Sequence, residues 1–136
     1  MKRVTVVVCP DSTFSLEDAR SFAAYMEEDL SVLLTYVPGG YDSAGNPVWV
    51  ASAPKPDWWL AKAQAPFGER PEVDTENDIN MTGAERAYDA LTVWDGVSPV
   101  PQAAPGKITA IAGMDGPDAL AAMGVSRDVD VNAELD

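Results

Sequence analysis

The chain has 136 residues, 22 acidic against 9 basic, a net charge of −13 and no histidine. That charge disfavours direct contact with nucleic acid or an anionic membrane, and the missing histidine removes the commonest general base and metal ligand. An apolar content of 46% is too high for a disordered chain, and the length suits one domain that needs neither disulfide nor metal to fold.

Residues 3–9 are β-branched and apolar on both faces, which predicts a central strand covered on two sides. The apolar run after Met1-Lys2-Arg3 is too short for a signal peptide, so secretion by that route is not expected. Ser15 and Asp18 form a variant capping box. The helix after it carries Leu16, Ala19, Phe22, Ala23 and Met26 on one stripe and ends at Glu27-Glu28-Asp29. Ser31 to Val37 reads as a second strand, giving a parallel β-α-β start.

Pro38-Gly39-Gly40 and residues 42–47 are dense turn signals. They predict a long hairpin leading into an antiparallel third strand, Val48 to Ala53. Pro56 opens a short helix, Asp57 to Ala65. Residues 66–82 form an acidic connection without periodicity. Thr82 and Glu85 suggest a capping box for a helix with Ala84, Ala87, Tyr88, Leu91 and Trp94 on its buried face. Residues 95–107 read as a loop, Ile108 to Ala112 as a fourth strand, and Asp115-Gly116-Pro117 as the start of a helix that Gly124 stops. The expected fold is mixed α/β over residues 1–126. It has a four- to five-stranded mixed sheet, about four helices, and an acidic tail from 127 to 136 that forms an edge strand or frays.

The charge is uneven. Residues 31–66 are neutral, while 11–30, 67–95 and 115–136 are acidic blocks. The neutral segment holds Tyr36, Tyr41, Trp49, Trp58 and Trp59, residue types enriched at protein interfaces. Trp58 and Trp59 point about 100° apart on a helix, so one of them is expected at a rim, with Lys62 placed to cover an exposed ring. The acidic residues Glu27, Glu28, Asp29, Glu72, Asp74, Glu76 and Asp78 form the expected acidic patch, of which the cluster at 27–29 reads as a solvated face or a site for a cationic partner. The first three sit at a helix C-terminus, where each negative charge costs about 0.3–1 kcal/mol.

Chemical motifs are weak. Cys9 ends a strand but has neither a phosphatase arginine nor a second redox cysteine near it, so a buried structural thiol is expected. Asp74, Glu76, Asp78, Asn80, Thr82 and Glu85 have the spacing of a calcium loop, but Ile79 occupies the position that needs glycine. Gly113-Met114-Asp115-Gly116 lacks the glycine pattern and lysine of a phosphate loop. No metal or cofactor is therefore expected.

The leading expectation is a non-enzymatic interaction or assembly protein, such as a small viral (phage) structural or accessory component. It would bind protein partners or copies of itself through the neutral aromatic segment, in the cytoplasm, a virion or an infected host's cytoplasm. One alternative is an acidic mimic of nucleic acid that inhibits a nucleic-acid-binding protein. Another is a small carboxylate- or metal-dependent enzyme.

Overall fold

A computed structural model describes residues 2–27, 30–67 and 81–126. Its elements are β1 (Lys2–Cys9), α1 (Leu16–Met26), a 3₁₀ turn (Leu30–Val32), β2 (Val37–Tyr41), β3 (Pro47–Lys55), α2 (Asp57–Gln64), α3 (Met81–Asp89), β4 (Leu91–Val93), β5 (Lys107–Ala112) and α4 (Gly116–Ala122). The five strands form one mixed sheet in the order β2-β3-β1-β5-β4. Among the described residues only the β4–β5 pair is parallel.

β1 is the central strand that its apolar pattern predicts. Val4, Val6 and Val8 join a core with Phe22, Met26, Trp59 and Ile108, on the face covered by α1, α2 and α3. Val7 and Cys9 point the other way and pack with Val50, Ile111, Leu120 and Met123. Thr5 is the polar residue on that second side. Its hydroxyl lies 2.7 Å from the Met114 carbonyl and 2.9 Å from Ser52 Oγ, so it is buried with partners.

α1 begins with the reciprocal Ser15–Asp18 capping box that the sequence predicts. Asp18 also accepts from Arg86 Nε at 3.1 Å and Nη2 at 3.2 Å, which ties the first turn of α1 to α3. The expected buried stripe holds at Ala19, Phe22, Ala23 and Met26, with Leu16 half-buried. Arg20 pairs with Glu17 on the exposed side.

Three expected boundaries move. The second strand is Val37–Tyr41, not 31–37, and β3 lies between it and β1, with β2 and β1 running the same way. Residues 33–36 belong to no strand and alternate in burial, with Leu34 and Tyr36 buried. Proline and glycine make 38–40 look like a turn, but each fits this edge strand. Pro38 lacks only an N–H that a sheet edge does not need. A side chain on Gly40 would meet the Ser126 carbonyl at 2.2 Å, so the close approach there requires glycine. Tyr41 and Ser126 exchange two backbone hydrogen bonds at that point.

The third helix already includes Met81, so Thr82 lies inside it and is not its cap. It ends at Asp89, and Leu91 then lies on a short strand, β4, where the sequence suggested continued helix. α4 has Asp115 as N-cap, Pro117 in its first turn and a left-handed Gly124 after its end, as expected. The tail from 127 and the calcium-like positions 74–80 lie outside the described residues.

Glu27 is not part of a solvated acidic patch; it is only 4% exposed. Its Oε2 accepts from Lys55 Nζ at 2.5 Å and from Trp59 Nε1 at 2.9 Å. Lys55, 1% exposed, also donates to the Val32 carbonyl at 2.7 Å. A lysine 28 residues away thus offsets the charge that the helix C-terminus disfavours. Removing one partner strands a buried charge, which typically costs about 3–5 kcal/mol, whereas replacing both partners by apolar groups costs far less. Urea unfolding of Glu27→Leu, Lys55→Met and the double variant will show two large losses and a double loss well below their sum. Additive losses would mean the two groups do not interact.

Candidate functional site

The hairpin between β2 and β3 carries the sharpest surface feature. Register pairs Pro38 with Trp49 and Tyr41 with Pro47. An alternating strand would place residues 38 and 41 on opposite faces. The bulge between Pro38 and Gly40 adds one residue and brings both to the same face. Gly39, the extra residue, turns towards Leu120 and Val50 on the other side. Pro38, Tyr41, Pro47 and Trp49 therefore form an aromatic and proline platform, beside a cleft of about 450 Å³ that Gly39, Gly40 and Val48 complete. None of these seven lining residues is charged. Trp49 and Tyr41 are half-buried, and no hydrogen bond among the described residues engages the Trp49 indole N–H or the Tyr41 hydroxyl.

The adjoining carboxylate is withdrawn from this surface. Asp42 is buried at the turn, where its Oδ1 accepts from the backbone N–H of Ala44 at 2.9 Å and of Asn46 at 2.8 Å. Burial pushes its pKa up, but these donors and the Asn46 side chain outweigh it and hold the carboxyl below the usual range. A depressed folded pKa stabilises the fold above the unfolded pKa and ceases to do so as pH falls through the folded value. The stability gap between the wild type and Asp42→Asn will therefore be full above about pH 4 and close in more acidic solution. Urea titrations at several pH values check this; a gap that widens on acidification contradicts it.

A second cleft, of about 460 Å³, opens on the other side of β3 between Arg3, Thr35, Val50, Ser52, Asp115 and Leu120. Its rim carries both signs of charge, with Arg3 donating to Ser52 Oγ at 3.2 Å.

The other expected interface residues separate. Trp59 is fully buried and holds the Glu27–Lys55 pair, whereas Trp58 is 39% exposed, so one of the two does lie at a rim. Tyr36 does not face a partner surface. It is buried in the helix-covered core, and among the described residues its hydroxyl has no hydrogen-bond partner. Burial raises its pKa well above the ordinary tyrosine range. Lys62 does not cover Trp58 or Trp59. It lies 4.4 Å from the Tyr25 ring centroid and donates to the Tyr25 carbonyl at 2.7 Å. Tyr25 in turn stacks with Phe67 and meets Tyr88 edge-on. Glu28, Asp29, Glu72, Asp74, Glu76 and Asp78 lie outside the described residues.

Sequence reasoning missed Pro38 and Pro47 as surface residues and Lys55 as a core residue. The alternation of Pro47 and Trp49 was a usable signal, because i and i+2 share a strand face. The bulge that adds Tyr41 to them has no such signal.

Cys9 is buried, and burial, followed by the negative charge of Asp42, pushes its thiol up to about 11 against a lowering by the Ala104 backbone N–H. The thiolate is the reactive form, so this cysteine is inert at neutral pH. Ellman's reagent will leave the native protein unlabelled at pH 7.5 and label one thiol in denaturant; rapid native labelling would contradict the burial. Among the described residues, no three acidic or cysteine side chains are grouped to hold a metal ion, and no helix is long and apolar enough to cross a membrane.

Comparison with protein-family models, curated proteins and solved structures gives no match.

Proposed function

We propose that this chain is a non-enzymatic protein-binding module that contacts its partners through the β2–β3 hairpin. One observation carries the reading: a chain of net charge −13 keeps an uncharged face of two half-buried aromatic rings and two exposed prolines at its surface. Aromatic residues dominate binding energy at interfaces, and Asp and Glu are depleted there. The surface is also stiff, since β3 is paired to β1 from Trp49 to Lys55 and the turn is closed by Asp42. A preorganised surface loses little conformational entropy on binding.

A homo-oligomer or a larger assembly, including a viral one, is one use of such a face. Decoy binding through the acidic blocks is the contrasting use of this chain. A photo-crosslinking residue placed at Trp49, and separately at the exposed Glu17, distinguishes the two in the native cell. Discrete protein adducts from position 49, unaffected by moderate salt, are the expected result. Adducts from position 17 alone, lost as salt rises, would overturn the proposal in favour of the acidic decoy.

A further inference from the structure

Resting on that reading, we infer that the hairpin platform binds a proline-rich segment in the polyproline II conformation, flanked by basic residues. The argument starts from donors and acceptors. The platform offers an indole N–H and a phenol O–H that nothing in the described structure engages. The backbone beside them is already used: Tyr41 exchanges both its groups with Ser126, and β2 is paired to β3. A ligand that brought its own N–H groups would find few acceptors here. A proline-rich segment brings none, and its backbone carbonyls are fully solvated acceptors facing outward.

Shape agrees with this. Polyproline II repeats every three residues with about 3.1 Å rise per residue, and its pyrrolidine rings pack against aromatic faces in shallow grooves. Trp49 and Tyr41 stand on one face with Pro38 and Pro47 beside them. The ligand is already ordered when free, so little entropy is lost on docking.

Charge selects the flanks. The platform itself is neutral, and the chain as a whole carries a net charge of −13. Arginine or lysine beside the prolines would be drawn towards that field, and acidic flanks would be repelled.

The test uses the whole chain and an oligoproline peptide with arginines at both ends, followed by the tryptophan indole signals in ¹⁵N NMR. The inference expects a saturable shift of the assigned Trp49 indole signal. Trp49→Ala should weaken binding at least about tenfold, as loss of an interface anchor does. Tyr41→Phe, which keeps the ring, should weaken it by a smaller factor and serves as the readout if Trp49→Ala does not fold. A matched peptide with serines for prolines should not bind. No saturable shift, a shift at Trp58 only, or equal binding of the serine peptide would each overturn the inference. So would self-association abolished by Trp49→Ala, which would make a second copy the occupant. Crosslinks from position 49 without peptide binding would overturn this inference alone and leave the contact face standing.

Discussion

The fold is organised around one buried ion pair. Glu27 and Lys55 meet where four segments converge: the end of α1, the 3₁₀ turn, the end of β3 and the start of α2. Each contributes a group to a single polar cluster, with Glu27 accepting from Lys55 and Trp59 and the Val32 carbonyl taking a further lysine proton. In an otherwise apolar core such a cluster is satisfied in only one arrangement. It fixes α2 against α1, and so determines that Trp59 turns inward and Trp58 outward. The exposed tryptophan is a by-product of that anchoring.

The sheet then separates two environments. On the helix-covered face, Phe22, Tyr25, Phe67 and Tyr88 form a run of edge and tilted ring contacts. On the other face α4 and the segment around Ala103 cover Val7, Val50 and Ile111. On the hairpin of β2 and β3, Trp49 is half-buried at the margin of the helix-covered core, while Pro38 and Pro47 beside it are exposed. A neutral surface there follows from sequence composition, but its shape follows from the bulge.

Much of this was legible in the sequence because it is local. The Ser15–Asp18 cap, the stripe of α1, the Asp115 cap and Gly124 stop of α4, and the two-sided burial of β1 all depend on neighbours within a few residues. What was not legible depends on distant partners. Glu27 looks like surface charge until Lys55 arrives from β3. Pro38-Gly39-Gly40 reads as a turn until Leu120 and Ser126 supply the close packing that glycine permits. β4 is three residues long, and the helical pattern of Ala84, Ala87 and Tyr88 runs straight into it. The same limit applies to the platform: Trp49 was visible as an aromatic in a neutral segment, but its alignment with Tyr41 is set by an irregular register.

The order of strands has a consequence for biosynthesis. β1 lies at the centre of the sheet but precedes both of its neighbours in the chain, β3 at Pro47–Lys55 and β5 at Lys107–Ala112. As the chain is made, this valine-rich strand leaves the ribosome before β3 and well before β5, and waits for both partners. Until then at least one of its hydrogen-bonding edges is open, the condition under which nascent chains pair with the wrong neighbour. The strong negative charge carried by the segments that follow keeps neighbouring nascent chains apart during that interval.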